Sequence, residues 1–374
     1  MKRYRLCRLL LALLLLVLTG CSLWGGGDSQ ESDESQVEEP REYPVTIGDA
    51  TILSRPGSVV SLAPSVTEKF VDLGMEDRLV GISEYCTDGK GGAALPESVA
   101  ALPRCGTAQL PDLDELGELS PHVVIAETAL SQADADALGR MDIDVVLLER
   151  AESLESWLET YVTISRLMEG DLSGAIIGES FVRQRLRDRL DGLEEWFGAY
   201  ARENGAKKAL YLRYLDYTIA TGETLESALM EIIGLENAAA AQTGWAYPEG
   251  GEGDGKRRED IEAADIIFMD ESDVKMEDLE RHEFYKGLST VIEDQYQYID
   301  CSAFERQSLR MLDELERMGG AAYPAAVPPA GYTPAKSEGE KDDEALPEDT
   351  QSAPSDDPMV QALENMPQAT EEEE

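Results

Sequence analysis

The chain has 374 residues, of which 42% are hydrophobic, which is enough for one large or two smaller hydrophobic cores. Its formal net charge is −44 at pH 7. Such an acidic chain is a poor partner for nucleic acid or for an anionic membrane surface, although a few local arginines would still suffice to hold an anionic ligand.

Residues 1–20 have the pattern of a secretory signal. A basic start precedes an apolar run from Leu9 to Leu18, which is too short to span a bilayer comfortably. The run ends in Leu-Thr-Gly-Cys at Cys21, which resembles the lipobox of bacterial lipoproteins. That resemblance implies cleavage before Cys21, lipidation of its thiol and a location outside the cell, on the outer face of the cytoplasmic membrane. A plain signal peptide with an unmodified Cys21 is the alternative.

Two acidic segments flank the part of the chain that is expected to fold. Residues 21–42 are mostly Gly, Ser, Asp and Glu, and residues 323–374 are rich in Pro, Ala, Ser, Asp and Glu. Such segments have too little apolar surface to form a core. We therefore predict a disordered tether before the fold and a disordered tail after it. The tail is interpreted as solubilising, with a spacer role as the alternative.

Residues 43–169 alternate between strand and helix patterns. The β-branched residues at 58–62 predict a buried strand. Ser65 and Glu68 have the spacing of a capping box, which predicts a helix that starts at Ser65. The remaining patterns predict strands at 79–83, 123–126 and 144–149 and helices at 113–119, 132–140 and 154–168.

Residues 170–205 predict one long helix. Gly170 ends the preceding helix and Asp171 caps this one. About 30 helical residues would extend roughly 45 Å, the length of a whole domain. Because strand and helix patterns alternate on both sides, we interpret this helix as a rigid strut between two lobes. Its apolar residues recur in steps of four and three, at Leu186, Leu190, Leu193, Phe197 and Tyr200.

Residues 206–322 repeat the alternation of the first lobe. The predicted fold is therefore of the α/β class, with two lobes. In this segment strands are predicted at 208–213, 217–220, 266–269 and 297–300, and helices at 225–233, 259–263 and 302–318.

An ordered set of short motifs runs through both predicted lobes. The motifs are VSLAPSVTE at 60–68, LG at 73–74, LVGIS at 79–83, YC at 85–86, LP at 102–103 with Gly106, LSP at 119–121, VVI at 123–125 and GLEN at 234–237. This set resembles the substrate-binding lipoproteins of ABC importers for cobalamin, iron–siderophores and haem, and the resemblance covers roughly residues 43–319. It implies a class III periplasmic binding protein, in which two Rossmann-like lobes are joined by one long helix. It also implies a monomer that binds a metal chelate between its lobes and delivers it to a membrane permease.

The resemblance also implies aromatic ligand contacts. Tyr85 and Trp245 match positions where cobalamin-binding relatives place aromatic rings. A second tryptophan of those relatives is absent, because residues 106–108 are Gly-Thr-Ala, and this weighs against cobalamin itself. Tyr214 and Tyr217 follow a predicted strand and are further candidates. Packing within a loop is the structural alternative for each ring.

Arginines would suit an iron–siderophore. Arg104 and Arg213 are candidates to pair with its carboxylates or catecholates, since a guanidinium offers two parallel hydrogen bonds. Ser65, at a helix N-terminus after a strand, is a further ligand candidate. Haem remains an alternative ligand, because Met75, Met230 or a tyrosine would be able to ligate its iron.

In the same family an acidic side chain on each lobe contacts the permease. The matching residues here are Asp114, with Glu115 beside it, in the first lobe and Glu259 or Asp260 in the second. The family residue is glutamate, so Asp114 is shorter by one methylene. Contacts of this kind act mainly through docking register and rate.

Cysteine and histidine usage predicts no resident cofactor or metal. Cys86 and Cys105 lie in consecutive loops, and either a disulfide between them or two buried free thiols is consistent with the sequence. The chain has two histidines, His122 and His282, and no Cys-x-x-Cys motif, which disfavours a zinc site.

The sequence lacks the motifs of the common enzyme classes. It contains no Gly-x-Ser-x-Gly elbow, no Walker phosphate loop and no dinucleotide fingerprint. We therefore predict a binding protein and no enzyme. The remaining alternative is a surface adhesin or interaction lipoprotein on the same scaffold, which the long acidic tails favour.

Overall fold

The computed structural model describes residues 41–87, 95–213, 218–241, 244–246, 261–270 and 275–335. The predicted signal peptide, Cys21, Tyr214, Tyr217, Glu259 and Asp260 lie outside these ranges. Among the described residues, no helix combines the length and the apolar character needed to cross a membrane.

A parallel four-stranded sheet forms the centre of the first lobe, in the order β4 (Leu79–Ile82), β3 (Val59–Ser61), β5 (Val123–Ala126) and β6 (Asp144–Leu147). Every residue of β3 and β5 is buried, which explains their continuous apolar runs. The predicted strands are present, and their ends lie within two residues of the prediction. The lobe contains β1 (Val45–Ile47), β2 (Ala50–Ile52), β3 (Val59–Ser61), α1 (Pro64–Asp72), β4 (Leu79–Ile82), α2 (Glu97–Ala100), α3 (Leu113–Leu119), β5 (Val123–Ala126), α4 (Gln132–Arg140), β6 (Asp144–Leu147) and α5 (Leu154–Glu169).

The first helix does not start as predicted. Its N-cap is Ala63, whose side chain caps nothing, and Pro64 occupies the first turn. Proline is favoured there because its missing N–H would have had no partner in any case. The expected capping box of Ser65 and Glu68 is therefore wrong. Glu68 instead turns toward the second lobe.

The linking helix, α6, is continuous over residues 171–204 and matches the prediction. Its N-terminal half packs closely on α5. A Cβ atom on Gly178 would lie 2.6 Å from the Cα atom of Val162, and one on Gly174 would lie 2.3 Å from the carbonyl oxygen of Ser165. These glycines therefore allow two helix backbones to approach each other. The helix contains α-helical segments Asp171–Phe181, Asp188–Leu193 and Ala199–Asn204, separated by π-helical segments Val182–Arg187 and Glu194–Gly198.

A second parallel four-stranded sheet forms the centre of the other lobe, in the order β12 (Tyr296–Ile299), β11 (Ile266–Asp270), β7 (Lys207–Tyr211) and β9 (Leu235–Asn237). If the strands of each sheet are numbered along the chain, both sheets have the order 2-1-3-4. The second strand lies on one side of the first and the third strand on the other, so the strand order switches between the first and third strands, which is where open α/β sheets bind ligands. The lobe contains β7 (Lys207–Tyr211), β8 (Ile219–Ala220), α7 (Leu225–Ile232), β9 (Leu235–Asn237), β10 (Trp245–Ala246), β11 (Ile266–Asp270), α8 (Met276–Arg281), α9 (Ser289–Ile292), β12 (Tyr296–Ile299), α10 (Cys301–Arg306) and α11 (Arg310–Ala322).

The single closing helix predicted at 302–318 is wrong, since α10 and α11 are separate. Gln307 ends α10 because it adopts a left-handed conformation, with φ of 49°. Its side-chain amide pairs with the backbone of Ala151, donating to the carbonyl at 2.7 Å and accepting from the N–H at 3.1 Å. The indole of Trp157 donates to the Gln307 carbonyl at 2.7 Å. Gln307, which separates the two helices, is thus held to the first lobe by three hydrogen bonds.

The predicted tail starts too early. Tyr323 is buried, and its hydroxyl accepts a hydrogen bond from the N–H of Lys207 at 3.0 Å. Tyr332 packs edge-on against Trp196, with ring centroids 5.5 Å apart, and donates to Glu316 at 2.8 Å. Residues 323–335 therefore belong to the fold. Two tyrosines attach this segment to the fold. The composition of the segment as a whole is typical of a disordered tail and does not indicate these contacts.

The predicted tether extends one residue too far. The carboxylate of Glu42 accepts hydrogen bonds from the N–H groups of Leu172 and Ser173, each at 3.1 Å, and from the Ser173 hydroxyl at 2.6 Å. The hydroxyl contact in particular lowers the pKa of Glu42. Glu42 thus caps the N-terminus of α6, where a carboxylate is favoured by the helix dipole.

Candidate functional site

Loops at the carboxyl ends of both sheets meet between the lobes. In the first lobe Arg150 follows β6, and Tyr85 lies in the turn after β4. In the second lobe Arg213 follows β7, and Glu305 lies in α10, which follows β12. Ligands of open α/β sheets bind beyond the carboxyl ends of the strands. This meeting place is therefore the candidate site.

Two arginines, one from each lobe, flank the carboxylate of Glu305. Nη1 of Arg150 lies 3.3 Å from Oε2 of Glu305, and Nε of Arg213 lies 3.5 Å from Oε1. Arg150 also approaches Glu226, at 3.7 Å. Glu226 is buried, and this burial raises its pKa against the opposing effect of Arg150. Charges from both lobes are thus concentrated in one cluster, which we call the arginine–glutamate cluster: Arg150, Arg213, Glu226 and Glu305.

An aromatic face adjoins this cluster. The guanidinium carbon of Arg213 lies 5.1 Å from the centroid of the Trp245 ring, within cation–π range. Tyr211 contacts the same ring edge-on, with centroids 6.1 Å apart. Trp245 is half-buried. The structure therefore brings together two predicted residues, Arg213 and Trp245.

The loop that carries Tyr85 is fixed from the second lobe. Arg306 donates to the carbonyl oxygens of Tyr85 at 3.0 Å and of Cys86 at 3.1 Å. The Tyr85 side chain remains 56% exposed. A backbone that is held in place with an exposed ring is suited to present a flat surface to a ligand.

The structure gives Arg104 and Ser65 contacts within the first lobe. The Arg104 guanidinium donates to the carbonyls of Leu102 and Ala100 and to the hydroxyl of Thr87. Ser65 is 2% exposed and donates to Glu127. These contacts explain both residues structurally, and their roles toward a ligand stay predictions.

The disulfide considered for Cys86 and Cys105 is absent, because both are free and buried. The Cys86 thiol lies 3.2 Å from the Thr67 hydroxyl, and burial raises its pKa. Burial also raises the pKa of Cys105 to about 12, which keeps this thiol protonated and unreactive. Within the described ranges, no group of three or more His, Cys, Asp or Glu side chains is placed to hold a metal ion.

The predicted permease contact of the first lobe lies on the surface. Asp114 is exposed on α3, and Glu115 beside it is half-buried. Asp114 lines an open pocket of about 410 Å³ together with Glu84, Gly106 and Asp112. This acidic surface therefore lies next to the loop that carries Tyr85.

The sequence patterns did not predict a buried joint between the lobes. Glu68 of α1 accepts a hydrogen bond from Ser308 at 2.5 Å and lies 3.2 Å from Arg306 and 3.3 Å from Arg310. One turn later, Asp72 accepts from the N–H of Leu309 at 2.9 Å. The segment between α10 and α11 is thus inserted into the first lobe. The only signal in the sequence is the density of charge at residues 305–310.

The cluster residues Arg150, Glu226 and Glu305 were also missed. Arg150 follows a predicted strand, and that position was the one available signal. Glu226 and Glu305 lie near the N-termini of predicted helices, where acidic residues are common for reasons unrelated to ligands.

Comparisons with known proteins agree with this architecture. Residues 59–169 match the family model described as periplasmic binding protein. An uncharacterized ABC transporter substrate-binding lipoprotein of Bacillus subtilis, YvrC, is 24% identical over 322 residues, which is 84% of this chain and 95% of that protein. A cobalamin-binding protein of Halobacterium salinarum is 25% identical over 225 residues, covering 58% of this chain and 57% of that protein. The crystal structure of a periplasmic heme-binding protein from Pseudomonas aeruginosa superposes with a TM-score of 0.57 at 18% identity, covering 74% of this chain and 95% of that one.

Proposed function

We propose that this chain, whose residues 59–169 match the family model described as periplasmic binding protein, is the substrate-binding component of an ABC importer. One observation carries the proposal: loops from the carboxyl ends of two sheets with the same strand order meet and place Trp245, Arg213 and Arg150 together. The similarity to a substrate-binding lipoprotein over most of both chains supports it.

The ligand in this proposal is a metal chelate of the iron–siderophore, cobalamin or haem type. Relatives and structural neighbours named for cobalamin and heme support this class. A flat chelate would lie against the rings of Trp245 and Tyr85, while polar groups around them set its orientation. The chelate is cargo, and the protein performs no chemistry on it.

Delivery requires a membrane location and a docking surface. Lipidation of Cys21 would hold the protein on the outer face of the membrane, and Asp114 with Glu115 would contact the permease from the first lobe. Glu259 or Asp260 would do so from the second. Exposed acidic contacts of this kind weaken with salt, so docking should be faster at low ionic strength.

Only a small movement of the lobes is expected on binding. The continuous helix α6 would have to break several backbone hydrogen bonds to bend sharply. The buried joint between Glu68 and Arg306 resists separation of the lobes at the same time. Small-angle scattering of the free and loaded protein should therefore differ little, and a large hinge rotation would contradict this mechanism.

Native mass spectrometry tests the proposed function directly. The full chain would be mixed with cyanocobalamin, haemin and a panel of ferric siderophores at equal concentrations. We expect a one-to-one complex with one ligand class. If no chelate is retained at micromolar concentrations, the importer assignment loses its ligand class and the adhesin alternative gains support.

A further inference from the structure

The arginine–glutamate cluster indicates the charge of the ligand. We infer that Arg150 and Arg213 bind an anionic group of the chelate, such as a carboxylate, in exchange for the side chain of Glu305. This inference rests on the proposed function and specifies its ligand class. Glu305 then acts as an internal competitor that fills the site until the anionic group of the ligand displaces it.

The distances show that Glu305 satisfies the two arginines only in part. Each of its carboxylate oxygens faces one guanidinium, at 3.3 Å from Arg150 and 3.5 Å from Arg213. Charge-assisted hydrogen bonds between such groups are usually about 2.7–2.9 Å long. Nε of Arg213 is buried and has no hydrogen-bond partner within the described part of the chain. A better-placed anion would therefore gain contacts that Glu305 does not make.

The exchange is sterically open. The side chains of Arg150, Arg213 and Glu305 are 33%, 30% and 24% exposed, so a ligand would reach part of each arginine side chain and Glu305 would be free to turn toward water. Glu226, by contrast, is 4% exposed and stays beneath Arg150. Once Glu305 has turned away, two cations face at most one buried carboxylate, and the site has a surplus of positive charge.

The two arginines are held differently, and both arrangements favour a planar anion. Arg150 is anchored by the carbonyl oxygens of Phe304 and Glu305, while Arg213 lies over the ring of Trp245. These two bonds use one N–H on each terminal nitrogen of Arg150, and its remaining N–H groups would donate to a carboxylate. Because Arg150 belongs to the first lobe and Arg213 to the second, one anion would bridge both lobes.

Isothermal titration of the full chain with four probes tests the inference: haemin, haemin dimethyl ester, ferric citrate and cyanocobalamin. Haemin and its ester form a matched pair that differs in two carboxylates. We expect a carboxylate-bearing probe to bind most tightly. Glu305→Gln should tighten its binding by about fivefold, and Arg150→Gln should weaken it by about tenfold or more. Glu293→Gln, which removes an exposed carboxylate from the same lobe, should leave the Kd unchanged.

If a lowered Tm shows that Arg150→Gln folds poorly, Arg150→Lys replaces it as the test variant. It keeps the charge but loses the fork, so carboxylate binding should still weaken. The inference is overturned if neutral probes bind as tightly as anionic ones, or if Glu305→Gln leaves the Kd of the carboxylate probes unchanged. In either case binding itself would still support the proposed function. Failure of every probe with every variant would overturn both.

Discussion

The guanidinium of Arg306 in the second lobe lies 3.2 Å from the carboxylate of Glu68 in the first, and both side chains are almost completely buried. Ser308 and Arg310 contact the same carboxylate. A segment of the second lobe is therefore part of the first lobe's interior. The two lobes should unfold together, since neither can lose this segment without exposing buried charge.

Glu68→Gln should destabilise the protein by about 3 kcal/mol, because it removes a buried charge that pairs with the guanidinium groups of Arg306 and Arg310. Urea unfolding followed by circular dichroism measures the change in the free energy of unfolding. Asp313→Asn is the matched control, since Asp313 pairs with Arg189 but is 45% exposed. It should cost less than about 1 kcal/mol. If both variants lost the same free energy of unfolding, the buried contacts of Glu68 would stabilise the protein no more than an exposed ion pair does.

Asp72 should make stability depend on pH. Its carboxylate accepts hydrogen bonds from Tyr161 at 2.8 Å and from the Leu309 N–H at 2.9 Å, but burial outweighs them and raises the pKa of Asp72 to about 6 from an ordinary value of 3.8. The folded protein therefore binds this proton more tightly than the unfolded chain does. The resulting stabilisation is complete below the unfolded pKa and is lost as the pH rises through about 6.

The Asp72→Asn variant isolates this effect, because an amide cannot titrate and its oxygen can still accept hydrogen bonds. Relative to Asp72→Asn, the wild type should lose stability on the order of 2 kcal/mol between pH 4 and pH 8. Urea unfolding of both proteins at several pH values provides the measurement. A difference between them that stays constant with pH would mean that Asp72 titrates normally in the folded state.

Gly178→Ala should destabilise the fold by about 1–3 kcal/mol through overpacking, since the new Cβ would lie 2.6 Å from the Cα atom of Val162. Gly139→Ala, in α4, is the control: a Cβ there has nothing within 4 Å. This control should be neutral or stabilising by up to about 1 kcal/mol, because alanine favours the helix. Thermal unfolding distinguishes the two, and a stabilising Gly178→Ala would contradict the close packing of α5 on α6.

Tyr332→Ala should cost about 2–3 kcal/mol, because it removes the ring that packs on Trp196 and the hydrogen bond to Glu316. Tyr332→Phe keeps the ring and should cost about 1 kcal/mol. Trp196 fluorescence reports the same contact, and its emission should shift to longer wavelength in Tyr332→Ala only. If both variants were as stable as the wild type, residues 323–335 would not contribute to the fold.

Much of the fold was predictable because the residues at which apolar side chains recur in the sequence are the residues that are buried in the structure. The apolar runs of β3 and β5 lie in sheet centres that are covered on both faces, and the four-and-three spacing of Leu186, Leu190 and Leu193 follows the buried side of α6. Local patterns of this kind determine element type directly. The two-lobe arrangement was predictable because strand and helix patterns alternate on both sides of one long helix, and the resemblance to the importer family agreed with it.

The remainder depends on contacts between residues that are distant in sequence. Ser65 and Glu68 have the spacing of a capping box. Glu68 instead forms ion pairs with Arg306 and Arg310, which lie more than 230 positions away in the sequence. Arg150 meets Glu305 only because the two sheets face each other. The break at Gln307 is stabilised by Ala151 and Trp157 of the other lobe, so no local signal marks it.

The most direct test of the central claim is tryptophan fluorescence of the full chain titrated with cobalamin, haemin and ferric siderophores. Trp157 is fully buried in the first lobe, whereas Trp245 lies half-buried beside Arg213 at the proposed site. The proposed function predicts saturable quenching by one ligand class at submicromolar concentration, lost or strongly weakened in Trp245→Phe and retained in Trp196→Phe. Saturable quenching that survives unchanged in Trp245→Phe, or no quenching by any chelate, would contradict a ligand site between these lobes.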